Sequence, residues 1–183
     1  MQEDYLGMES FSGRFVQEDR RENGRTQTAS GKIDYRKPGR MRWHYLEPDE
    51  QLVVTNGEKV WLFDPLLDNV TVQPLKGLTQ GTPLAFLLGL GKLSRDFSCR
   101  ALTSTPPADG LTYLELLPRK PIPGLAFIQL GVAGEAGRIG ALRMVDSRGN
   151  IRLLRLIDLK PGAAFAKGHF IFKITEGMEV ISK

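Results

Sequence analysis

Cysteine occurs once in this 183-residue chain, at Cys99, and histidine only twice, at His44 and His169. One thiol excludes an intrachain disulfide framework and any CxxC metal or redox motif. Cys99 lies in DFSCRAL, which reads as a strand, and is expected there as a small buried hydrophobe. Neither histidine has neighbours at metal-ligand spacing, so no metal and no cofactor is expected. His44 falls on the polar side of its strand, where exposure or a routine hydrogen bond is the default. His169 opens the last β-like segment in a structural role. Long apolar runs are missing too. The longest, LAFLLGLG, is far shorter than the eighteen or so residues of a membrane-crossing helix. The chain opens on polar MQEDY, so no signal peptide is expected within it, and its start alone assigns no compartment.

Charge of one sign is not concentrated anywhere. Lys and Arg number 25 against 21 Asp and Glu, a net +4, and the basic residues are spread along the whole chain. A nucleic-acid binder gathers its positive charge into a patch, so no nucleic-acid partner is expected. Catalytic signatures are also wanting. There is no G-x-S-x-G elbow. GLGK at 89–92 fails as a phosphate loop, because Phe86 stands where the first glycine belongs and Leu93 replaces the Ser/Thr. GVAGEAGRIG at 131–140 has glycine at every third position but no helix after it, and reads as a flexible connection between strands. Asp64, Asp68 and Asp146 sit at turns, where carboxylates commonly bond nearby backbone. No acid–base pair stands out, and an enzyme is not expected.

What the chain does have is a succession of short β-like segments punctuated by turns. GRFVQE, TASGKIDYR, RMRWHYL, QLVVT, KVWLFD and NVTVQPL come first. DFSCRALTS, LTYLELLP, LAFIQLGV, IGALRMVD, NIRLLRLIDL and HFIFKIT follow. Asn56-Gly57 predicts a tight type I′ hairpin, and Asp146-Ser147-Arg148-Gly149 marks another. With no regular strand–helix alternation, the pattern predicts an antiparallel meander. In RMRWHYL, Met41, Trp43 and Tyr45 alternate with Arg40, Arg42 and His44, giving one apolar aromatic face and one basic face. KVWLFD is apolar on both faces, so such strands need cover on both sides. DYLGMESF is weakly helical. Thr82 and Pro83 open a short helix to about Leu88 that is apolar nearly all round and must cover something apolar.

Four blocks then make the sequence specific: SFSGRFVQ at 10–17, RKPGRMRWHYLEPDEQLVVTNGEKVWLFDP at 36–65, TPLAFLL at 82–88 and HFIFKITEGMEVI at 169–181. In this order they resemble the LolA family, periplasmic carriers that ferry lipoproteins to the outer membrane of Gram-negative bacteria. The likeness runs from about Tyr5 to Ser182. It implies one lipoprotein-carrier domain over 1–183, mainly β, with an N-terminal helix shorter than the family's. The implied architecture is an incomplete, unclosed antiparallel barrel of about eleven strands, with short α-helices forming a lid over an apolar cavity.

By position, Met41 and Trp43 match large apolar residues that face the family's cavity, and Tyr45 continues that side. Leu52, Val54, Trp61, Phe63, Phe86 and Leu87 are expected with them as lipid-binding lining. The family commonly places an arginine before the proline of this block, implicated in lid closure. Here Lys37 stands in that place, so Lys37, Arg36 and Arg40 become the lid-closure candidates; lysine is a point charge without arginine's planar fork.

The implied partners are acylated lipoproteins, the inner-membrane ABC transporter LolCDE and the outer-membrane receptor LolB, met by a monomeric periplasmic protein whose leader has been removed. The alternatives are a LolB-like acceptor, an envelope-stress lipid sensor of the same fold, and a lipid-acting enzyme. LolB is anchored through an N-terminal cysteine, whereas the first cysteine here is Cys99. The sensors carry a second domain, for which 183 residues leave little room.

Overall fold

The computed structural model describes residues 8–78, 96–100, 102, 105, 108–134 and 138–182. They form twelve strands and one helical turn. In chain order these are β1 (Ser10–Arg20), β2 (Thr26–Arg36), β3 (Arg40–Glu47), β4 (Gln51–Asn56), β5 (Lys59–Asp64), β6 (Asn69–Pro74), α1 (Leu75–Leu78), β7 (Phe97–Arg100), β8 (Thr112–Pro118), β9 (Phe127–Ala133), β10 (Arg138–Val145), β11 (Ile151–Pro161) and β12 (Glu179–Ser182). All belong to one sheet, ordered β12-β6-β5-β4-β3-β2-β1-β11-β10-β9-β8-β7. The pairs are antiparallel except β12 on β6, which is parallel. Each strand's right-handed twist accumulates across the sheet, so a sheet this wide curls rather than lying flat. Its two ends, β12 and β7, stay unpaired with each other, and the barrel is unclosed.

The turns follow from local chemistry. Between β4 and β5 the two-residue loop is Gly57–Glu58. Gly57 has φ 97°, while the Asn56 side-chain oxygen accepts from the amides of Glu58 and Lys59. Positive φ at the first loop position alone is the type II′ pattern, which corrects the type I′ expectation. Asp146 closes the β10–β11 hairpin by accepting from the Arg148 and Asn150 amides and the Asn150 side chain. Its carboxyl is held below the usual carboxylate range, first by the Asn150 side chain.

Several expectations change. The sheet has twelve strands, not about eleven. HFIFKIT is not a strand; pairing begins only at Glu179, and runs parallel to β6. Cys99 is exposed on edge strand β7, so it is not a buried hydrophobe. Among the described residues helix is confined to the single turn α1 and to Asp96, and a helical lid finds no support there. The helix expected over 83–88 lies outside the described residues, as does the first half of DYLGMESF; of the other half, Ser10 and Phe11 already belong to β1.

The register sorts side chains onto two faces, since residues opposite each other in a ladder share a face. One face carries a continuous buried cluster drawn from both arms of the sheet, including Phe11, Phe15, Ile33, Tyr35, Met41, Trp43 and Val60 with Leu116, Ile128, Leu130, Leu142, Leu154 and Leu156. This is the inner face. On the outer face of the β2–β6 arm a second cluster, Leu52, Val54, Trp61 and Val70, is packed by Phe172 and Met178 of the C-terminal tail. The two-sided apolar character of KVWLFD thus has two covers. Val60 and Leu62 face the inner cluster, and Trp61 and Phe63 lie beneath the tail.

Candidate functional site

The inner face is built around an aromatic group on three adjacent strands. Phe15 of β1, Gly31 of β2 and Tyr45 of β3 lie in one row, with Ile33 and Trp43 in the next. Gly31 makes the group possible. A Cβ there would stand 1.9 Å from the His44 carbonyl oxygen and 2.9 Å from the Phe15 ring. The bare backbone lets Phe15 settle over the strand, with ring centroids 4.6 Å from Trp43 and 5.0 Å from Tyr45. Trp43 and Tyr45 stack at 6.0 Å. Edge-on, tilted and offset arrangements of this kind favour aromatic pairs over simple area burial.

Polarity is graded along this face. At one end, Phe11 stacks on Tyr35 at 5.3 Å, and Tyr35 pairs with Met41. Burial, with Glu9 nearby, pushes the Tyr35 hydroxyl up to about 12. At the other end the Tyr45 hydroxyl donates to the Gln17 side-chain oxygen at 3.1 Å. One row further, Arg152 holds Asp19 through two bonds of 2.7 and 2.9 Å. Burial raises the Tyr45 pKa; the Arg152 charge opposes the shift and Asp19 adds to it. Trp43 sits between these ends, 5% exposed. Its indole Nε1 is buried and has no hydrogen-bond partner among the described residues. An orphaned buried donor of this kind costs about 1–3 kcal/mol.

The expected lining residues do not all meet. Met41, Trp43 and Tyr45 share the inner face, as their alternation implied. Leu52, Val54, Trp61 and Phe63 lie on the outer face, which is a correction set by register. Leu52 pairs with His44 and Val54 with Arg42, the polar side of β3, while Trp43 pairs with Val53. Phe63 meets Phe172 at 5.0 Å. Val53, Val60 and Leu62 are the residues of β4 and β5 that do reach the inner cluster. Phe86 and Leu87 lie outside the described residues.

Among the lid-closure candidates, Arg36 and Arg40 are opposite each other. Alternation from Tyr35 and Met41 puts both on the outer face. Lys37 stands in the β2–β3 turn, with its ammonium 3.5 Å from Glu9 and its amide donating to the Glu9 carbonyl.

Both histidines are engaged. His44 Nε2 is 2.7 Å from Glu50, and His169 Nε2 is 2.8 Å from Asp34, fixing the tail to β2. Among the described residues no three His, Cys, Asp or Glu side chains group as a metal site would need.

Sequence reading missed a polar ladder on the outer face of the other arm. Arg100 donates to Glu115 at 2.7 Å, Gln129 donates to Glu115 at 2.7 Å, and Arg143 donates to Gln129 at 2.7 Å. Glu115 and Gln129 are wholly buried. Burial lowers the Arg143 pKa, and the Glu115 charge opposes that shift. The ladder links four strands whose members are far apart in sequence, so only the register reveals it. Its donors and acceptors satisfy one another, as buried charges require. A separate cleft of about 660 Å³ at the β1–β2 turn is walled by groups such as Arg21, Arg25, Arg148 and Asn150. It has no apolar wall comparable to the inner face.

The sequence profile described as Outer membrane lipoprotein carrier protein LolA matches residues 7–173. The outer-membrane lipoprotein carrier protein of Cupriavidus taiwanensis is 30% identical over 97% of this chain and 83% of its own length. That of Pseudomonas aeruginosa is 31% identical over 87% of this chain and 74% of its own. Among solved structures, an uncharacterized conserved protein from Thermus thermophilus matches with TM-score 0.61 at 13% identity, covering 99% and 94% of the two chains. A LolA superfamily protein from Nitrosomonas europaea matches with TM-score 0.53 at 14% identity, covering 93% and 96%. These structural likenesses concern the fold.

Proposed function

The chain belongs to the LolA family, and from that membership we propose that it is a periplasmic lipoprotein carrier. It takes acyl chains of lipoproteins leaving the inner membrane onto the inner face of its sheet and delivers them to an outer-membrane receptor. The supporting observation is the continuous apolar cluster on the inner face of an unclosed sheet, centred on Phe15, Trp43 and Tyr45. An open sheet can admit and release a chain that a closed, filled barrel could not.

The mechanism is binding and transfer without covalent chemistry. At about 0.8 kcal/mol per buried CH2, one long acyl chain gains on the order of 10 kcal/mol on leaving water. Release therefore requires a competing packed state of the empty protein, in which the inner side chains satisfy one another. The aromatic contacts among Phe15, Trp43 and Tyr45 supply part of that competing state. Lys37 is the lid-closure group of this reading, since Arg36 and Arg40 point to the other face. Donation by a LolCDE-type transporter and hand-over to a LolB-type receptor complete the proposed route.

The test is release from membranes. Spheroplasts carrying a triacylated lipoprotein are incubated with the protein, and the supernatant is fractionated by size. A soluble 1:1 complex is expected. Lipoprotein that stays on the membrane, with a transporter shown to be active, overturns the reading.

A further inference from the structure

We infer that the Trp43 indole N–H hydrogen-bonds the carbonyl of a bound acyl chain, so the site recognises fatty esters and amides rather than hydrocarbon alone. The inference rests on the carrier reading and adds to it the chemical group that is read. Its basis is the buried, unpartnered Nε1 of Trp43. The groups at the polar end of this face are already committed. The Tyr45 hydroxyl donates to Gln17, and Asp19 is held by Arg152. Phe15, Ile33 and Val53, which face or adjoin Trp43, offer no acceptor. A water there would find too few polar partners to be held. Among the described residues this donor has no partner, and a ligand carbonyl supplies one.

Position specifies the partner. Trp43 lies between the apolar end of the face, with Met41, Tyr35 and Phe11, and the polar end, with Tyr45, Gln17, Asp19 and Arg152. An acyl carbonyl occupies the same place in its own molecule, where hydrocarbon meets a polar head. With its tail along Met41 and Phe11 and its head toward Asp19–Arg152, the chain presents the carbonyl at the level of Trp43. Indole nitrogen donates and never accepts, so its partner must be an acceptor, and the acyl carbonyl is the strong acceptor that lies at this level of the chain.

The experiment compares two probes on the full chain: a peptide carrying diacylglyceryl cysteine, with two esters, and its dialkyl analogue, with two ethers. Ethers are the more apolar pair, so transfer from water alone favours the dialkyl probe. Wild-type protein is expected to bind the ester about five- to tenfold more tightly, tenfold corresponding to about 1.4 kcal/mol. Trp43→Phe keeps an aromatic ring and removes the N–H. It is expected to bind the two probes within about twofold of each other, or to prefer the ether. A wild-type protein that fails to prefer the ester, or a Trp43→Phe variant that keeps the preference, overturns the inference and leaves the carrier reading standing. Failure of the wild-type protein to bind either probe removes both.

Discussion

Gly31 is the residue on which the inner aromatic group depends, and its role is steric. The methyl of Gly31→Ala would collide with the backbone oxygen of His44, which no rotamer change relieves. We expect destabilisation beyond the roughly 1–3 kcal/mol of ordinary overpacking, measured as a fall in the urea midpoint, or loss of folded protein altogether. Tyr35 makes a pH-dependent prediction. Its folded pKa is raised to about 12 from an ordinary value of 10. The stability it contributes is therefore fully present below pH 10 and is lost as pH rises toward 12. Urea midpoints should fall between pH 10 and 12, and Tyr35→Phe should flatten part of that fall. The alternation of Met41, Trp43 and Tyr45 was visible in the sequence because a strand's period of two is local. The orphaned Trp43 nitrogen was not, because satisfaction depends on side chains brought in from β1 and β2.

At the level of elements, the face assignments separate stability from binding. Trp61→Ala removes a buried ring from the outer cluster and should cost about 3–5 kcal/mol if the site does not collapse, while acyl-peptide affinity stays within about twofold. Met41→Ala should cost about 2–5 kcal/mol and also weaken acyl-peptide binding several-fold. Denaturation curves beside a binding titration read both, and equal loss of affinity in the two variants would refute the division of faces. Most strands were legible, because turn residues and alternating segments punctuate them. Which apolar face of β4 and β5 turns inward was not legible, since KVWLFD offers both and only pairing with β3 decides. The tail was misread for a related reason. HFIFKIT has the residue types of a strand, yet its aromatic side chains serve as cover: Phe172 lies on Phe63, and His169 is fixed to Asp34. Its hydrogen-bonded pairing comes later and joins the C-terminal segment to β6 in a parallel ladder.

For the whole molecule, ligand and fold are coupled by mass action. A fatty chain that binds only the folded protein should raise the unfolding temperature in proportion to the logarithm of its concentration, giving about 2.7 kcal/mol at a hundredfold excess over Kd. Calorimetry with the diacyl peptide checks this, and an unchanged transition would argue against occupancy of the interior. The broad architecture, one mainly antiparallel unclosed sheet, followed from the succession of short segments and from the family resemblance. The outer polar ladder did not, since Arg100, Glu115, Gln129 and Arg143 become neighbours only after four strands assemble.

A sheet left open has two rims, and each is a template on which another chain could grow a fibre. Here one rim is β12, a strand of only four residues paired with β6, and Phe172 and Met178 hold the segment that precedes it against the outer cluster. Among the described residues the opposite rim, β7, is the four-residue strand Phe97–Arg100. Short, charged borders of this kind discourage strand-by-strand polymerisation. A sheet that stays unclosed with borders this short leaves little edge for a second chain to extend.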